Sequence, residues 1–205
     1  MSEFPPPAAP VPPRRPDPAL AEGLDARRSV PAVQLQEPGP DQDTLLRLLA
    51  SAVRVPDHGK RVPFRFITLE GDSRRVFGEK LAQRHREVDP DTPEALLAKD
   101  RERWLHAPVI VVVVARLGPD PKIPEQERLL TAGCTCLVLL QAAQAAGFGA
   151  CWLTGWAAYD RGVADILGLS GDERVTGFIH IGTPRMVVPD RERPDPAALL
   201  TRWQP

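Results

Sequence analysis

The chain of 205 residues has no excess of either charge: 26 lysines and arginines stand against 27 aspartates and glutamates. Without a basic surplus it does not advertise a nucleic-acid partner, and no acidic tail suggests a solvating segment. Cysteine is scarce, and three thiols, an odd number, argue against a disulfide framework. Cys134 and Cys136 are two apart, which on a helix points them to different faces, with no histidine or fourth thiol nearby. The expectation is therefore reduced core cysteines in a cytoplasmic protein, and no zinc or other metal site. Long apolar runs are lacking too. The N-terminus has no apolar stretch after a positive start, so no secretory signal is expected. The most apolar window, roughly 132–149, is short for a bilayer span and carries Gln141 and Gln144; it reads as a buried helix, with no membrane partner. No Ser-His-Asp set, no catalytic carboxylate pair and no internal repeat stands out.

Proline, in contrast, is abundant. Eight prolines fall in residues 1–20, where no periodic pattern exists. That composition predicts an extended, disordered lead, followed by a single domain over 21–205. A short helix from Leu20 or Leu24 is expected to run into Arg27 and Arg28. Leucines between Leu45 and Leu49, with Ala52 and Val53, give residues 41–54 a wide apolar helical face. Residues 62–69 read as a strand, 73–86 as a helix, and Thr92-Pro93 as the cap and first turn of another helix to about Leu105. Val109 to Ala115 is a continuous apolar, β-branched run, the mark of a central strand covered on both faces. Residues 125–146 form a long helix whose second half is small or apolar nearly all round, which asks for burial beyond one small core. A strand at 150–153, a short helix at 160–167 closed by Gly168, and a strand at 175–181 followed by Gly182-Thr183-Pro184 complete the core. Leu199, Leu200 and Trp203 are candidate anchors for the proline-rich tail. The class is α+β or a three-layer arrangement.

Four separated pieces carry potential chemistry. Arg27-Arg28-Ser29 offers two guanidinium forks and a hydroxyl, a set suited to a phosphate monoester, though a solvated basic patch has the same composition. Arg54-Val55-Pro56-Asp57-His58 ends the first long helix. Gly147-Phe148-Gly149 turns into a strand carrying Trp152, Leu153 and Thr154. Gly182-Thr183-Pro184-Arg185 follows the last strand.

In this order the pieces resemble the nitroreductase superfamily of FMN-dependent enzymes, and within it the YdjA-like subgroup of NAD(P)H nitroreductases. Ile-Pro-Glu at Ile123 and Ala-Gly-Cys at Gly133 fit the same pattern, which covers roughly residues 20–200. The resemblance implies a mixed sheet of about four to five strands wrapped by helices, in an intertwined homodimer with FMN at the interface. It implies that Arg27, Arg28 and Ser29 hold the FMN phosphate and ribityl chain. Arg54 and His58 are implied to approach the same flavin from the other subunit, Arg54 near N1 and O2 of the ring. Trp152, Leu153 and Thr154 are implied to follow the N5 and O4 edge through backbone groups. Ala142, Ala143, Gln144, Ala145, Ala146 and Gly147 match the nicotinamide-nucleotide stretch, and Arg193 is the choice among Arg185, Arg191 and Arg193 for one more phosphate contact. No side-chain nucleophile is expected, since the cofactor carries the chemistry, with NADH or NADPH as donor and a small electron-poor acceptor. The chain departs from the pattern at Val62-Pro63-Phe64, where many family members carry Asn or Gln before Pro-Trp, and at Leu153, where the subgroup's best-known member has arginine. Both changes remove polarity from the pocket. The rival readings are a flavin-binding storage or sensor protein without turnover, and a dimeric interaction protein without cofactor.

Overall fold

A computed structural model describes residues 15–204; residues 1–14 of the expected lead and Pro205 lie outside the described residues. The fold is built on a five-stranded sheet. Its strands are β1 (Leu35–Gln36), β2 (Phe64–Glu70), β3 (Val109–Arg116), β4 (Gly149–Leu153) and β5 (Glu173–Pro184). Strand β5 is the spine, pairing with β3 over most of its length and also with β4 and β1, while β2 pairs with β3. Every ladder is antiparallel, so the mixed character implied by the resemblance does not occur among these five strands. The helices are α1 (Pro18–Asp25), α2 (Gln42–Ala52), α3 (Asp72–Val88), α4 (Glu94–Glu102), α5 (Glu125–Ala145), α6 (Arg161–Ile166) and α7 (Pro196–Leu199).

The apolar run in β3 does what its lack of alternation demands: residues 109–115 are all buried, with Ile110, Val112 and Val114 on one face and Val109, Val111 and Val113 on the other. The first face packs on Phe77 and Leu81 of α3 and on Trp104, which is fully buried edge-on to Phe77 and Phe178 with ring centroids 4.8 Å apart in each pair. The second face packs on Cys136, Leu139, Leu140 and Ala143 of α5 and on Leu45, Leu48 and Ala52 of α2.

Four local expectations are corrected. Helix α1 begins at Pro18, capped by the Asp17 side chain, and stops at Asp25; Arg27–Ser29 therefore follow the helix in a segment without regular secondary structure. Thr92 does not cap α4, because its hydroxyl bonds Asp89 O (2.7 Å) and Pro93 takes the cap position. Gly182-Thr183-Pro184 lies inside β5, since β1 supplies partners for Thr183 and Pro184. Leu199, Leu200 and Trp203 anchor nothing among the described residues, being 71, 70 and 84 % exposed.

Candidate active site

The Arg-Arg-Ser segment is drawn to the start of β4. Val30 N donates to Ala150 O (3.0 Å), and Arg28 N donates to the Gln144 side-chain oxygen (3.2 Å) near the end of α5. Gln144 also donates from Nε2 to Gly23 O (3.2 Å), so one side chain clips both α1 and the arginine segment onto α5. Gly147, at φ 86°, ends that helix in the left-handed region, which glycine adopts without strain. Arg27 Nη1 donates to Ser29 Oγ (3.3 Å), and Arg27 has no carboxylate partner among the described residues. Arg28 pairs with Asp190 (2.7 Å) and donates to Asp25 O (2.6 Å). A pocket of about 620 Å³ opens here, lined by Arg28, Gln144, Gly147, Phe148, Arg185 and Val187 among others.

Trp152, Leu153 and Thr154 lie at the other end of β4, about 7–13 Å beyond Ala150 at the rise of an extended strand. Alternation sends Trp152 to the α5 face and Leu153 to the opposite one. The indole lies across Gly177 of β5, where a Cβ would overlap it, and its Nε1 donates to Thr176 O (3.1 Å). It remains 37 % exposed. The turn after Thr154 is fixed from below. Asp100 accepts from Trp156 Nε1 (3.2 Å) and bonds His85 Nδ1 (2.6 Å), joining α3, α4 and the 156–158 turn.

Arg54 and His58 stand apart from the arginine segment. His58 Nδ1 bonds Glu127 Oε2 (2.7 Å) near the start of α5, whereas Arg28 is tied to Gln144 near its end. Seventeen residues of helix place these contacts about 25 Å apart. Arg54 is exposed and has no carboxylate partner among the described residues. Arg193 does not reach the pocket by itself; it pairs with Asp190 (2.8 Å), whose other oxygen holds Arg28. The Ala142–Gly147 stretch is divided: Ala143 is core and Gln144 is the clip, while Ala145, Ala146 and Gly147 are exposed. Burial pushes the Cys136 thiol up to about 12 and the Cys151 thiol up to about 11, as befits core residues. Three or more His, Cys, Asp or Glu side chains do not come together as a metal set among the described residues.

Two residues of the loop after α2 were undervalued by sequence reasoning. Asp57 accepts from Arg61 N (3.0 Å) and Val62 N (2.8 Å) and shapes the loop; its place in the Pro-Asp-His segment was the available signal. Val62 itself has φ 47°, a left-handed conformation that costs a β-branched residue about 1–2 kcal/mol and that asparagine tolerates. Val62→Asn should raise stability by about 1 kcal/mol, read as a higher urea midpoint; an unchanged or lower midpoint would show that the loop relaxes the strain elsewhere.

A family model described as the nitroreductase family matches residues 24–183. "Putative NAD(P)H nitroreductase YdjA" of Escherichia coli K12 is 32 % identical over 181 residues, covering 88 % of this chain and 97 % of that one. A "Putative NAD(P)H nitroreductase" of Haemophilus influenzae is 34 % identical over 151 residues, covering 73 and 81 %. Among solved structures, a nitroreductase-like family protein from Bacillus cereus superposes with TM-score 0.75 at 21 % identity, covering 89 % of this chain and 95 % of that one. A Desulfovibrio desulfuricans protein described as a putative nitroreductase in complex with FMN gives 0.71 at 20 %, covering 93 and 100 %.

Proposed function

Because the chain belongs to the nitroreductase family, we propose that it is a cytoplasmic FMN-dependent oxidoreductase taking electrons from NADH or NADPH. The observation that carries this reading is the pairing of the Arg-Arg-Ser segment with β4. It puts cationic and hydroxyl donors at one end of a strand and a half-exposed indole with free backbone groups at the other. The separation along the strand, about 7–13 Å, suits a phosphate and a flavin ring joined by a ribityl chain. Arg27, uncommitted to any carboxylate among the described residues, is the primary phosphate ligand, and Arg28 and Ser29 complete the grip. Backbone groups of Trp152, Leu153 and Thr154 orient the ring, and the exposed surface at Ala145–Gly147 receives the nicotinamide nucleotide. When bound, FMN supplies the two-electron chemistry, taking hydride from the nucleotide and passing it in a ping-pong cycle to a nitroaromatic, quinone or enone.

An uncovered apolar surface on α5 supports a site of two chains. A second copy brings its own His58 and Arg54, the latter a cation for N1 and O2 of the ring. Leu130 (62 % exposed), Cys134 and Leu137 form an uncovered apolar stripe on α5, with Val53 exposed at the end of α2, and a homodimer would cover them. Residues 21–205 form the one FMN-binding domain of this reading.

The visible spectrum of the purified protein, followed by anaerobic addition of NADH or NADPH, tests the reading. A yellow protein that bleaches supports it. A colourless protein that FMN cannot reconstitute would overturn it, and a yellow one that bleaches with neither nucleotide would point to storage or sensing. Arg27→Ala should weaken FMN binding by about 1.5–3 kcal/mol, the worth of a charge-assisted contact, in a fluorescence titration.

A further inference from the structure

The C-terminal segment after β5 returns to the arginine segment through a single acid. Asp190 Oδ2 lies 2.7 Å from Arg28 Nη2, and Asp190 Oδ1 accepts both from Arg193 Nη2 (2.8 Å) and from Arg191 N (2.8 Å). The Arg191 backbone N–H, with the Arg193 and Arg28 guanidiniums, holds its carboxyl below the ordinary range, so it is an anion at neutral pH. A carboxylate bound by two arginines and a backbone amide uses the same donors that a phosphate oxygen uses. We propose that Asp190 is a built-in competitor for the phosphate grip, occupying Arg28 and Arg193 so that a phosphate must displace it or bind against its charge. The inference rests on the reading of Arg27–Ser29 as that grip.

The segment is suited to yielding. Residues 185–187 and 189–204 are exposed; Val188, half-buried on the core, and Arg185 N donating to Gln34 O (2.8 Å) tether its start. Arg27 keeps no carboxylate partner among the described residues and bonds only the Ser29 hydroxyl there, so a phosphate meets one guanidinium free of acids and one that is already engaged. The pair sets affinity for the charged tail of the ligand and leaves its ring untouched.

The test compares the flavin-stripped full chain with its Asp190→Asn variant, titrating each with FMN and with riboflavin, which lacks the phosphate. Glu192→Gln, an exposed acid in the same segment, controls for net charge. Wild type should prefer FMN to riboflavin. Asp190→Asn should tighten FMN about fivefold, the scale of one exposed ion pair, and leave riboflavin unchanged. Should Asp190→Asn leave FMN binding unchanged or weaken it while wild type still prefers FMN, Asp190 is no competitor, although the grip stands. Equal tightening by Glu192→Gln would assign the effect to net charge and overturn the competitor. If wild type binds FMN and riboflavin equally, the phosphate reading falls and takes this inference with it.

Discussion

Lowering the pH from 6.5 to 4.5 should cost the fold about 2–3 kcal/mol through His180, and His180→Leu should remove that part of the loss. His180 lies in the middle of β5, paired across to Ile110 and Cys151, fully buried and stacked on Trp104 with centroids 5.6 Å apart. Neither ring nitrogen has a partner among the described residues. Burial, reinforced by the positive charges of Arg103 and His106, lowers its pKa from 6.5 to about 3. The folded state thus refuses a proton that the unfolded chain accepts. The stability is complete above pH 6.5 and drains away as the pH falls toward 3, at about 1.4 kcal/mol per pH unit. The upper part of this window is clean. Glu173 is held at about 2, first by its bond to Arg65, and Asp120 at about 2 by the backbone N–H groups of Ile123 and Lys122. Their unfolded values, 4.5 and 3.8, put their own losses lower. Chemical denaturation at pH 7, 6, 5 and 4.5 for both proteins gives the difference directly. Parallel pH profiles for the two would mean that a water or a rotated ring satisfies the imidazolium.

Mixing two defective variants should restore flavin binding and turnover. Arg27→Ala removes the phosphate contact, and a second variant carrying Arg54→Ala and His58→Ala removes the groups assigned to the neighbouring chain. When the two are unfolded and refolded together at equal amounts, half of the dimers are mixed. Each mixed dimer then holds one site with every defect and one with none, so about a quarter of all sites recover. If each site were made within a single chain, every site would keep a defect and the mixture would show only the average of its parents. Retained FMN and its reduction by NADH or NADPH both report the outcome.

Much of the fold was legible because its signals are local. The β-branched run of β3 and the apolar face of α2 need only their own residues to be read, and both lie within two residues of expectation. The order of the four motifs pointed to the family for the same reason. What was not legible depends on partners far away in the chain. Thr183 and Pro184 read as lying past the strand until β1, some 148 residues earlier, extends the ladder to them. His58 meets Glu127 across 69 residues, and Arg28 meets Asp190 across a gap that no spacing announces. Val62 belongs to a third kind: its side chain argues for a strand, while the Asp57 carboxylate holds its backbone in a loop conformation.

The central place of β5 bears on how the chain is made. During synthesis, β3 emerges with β2 as its one available neighbour, and its other edge stays open until Glu173, 57 residues after Arg116, has been added. At ordinary elongation rates that interval is about 3–11 s. For that time the most apolar strand of the protein has an unprotected flank beside the ribosome, a natural point of engagement for a nascent-chain chaperone.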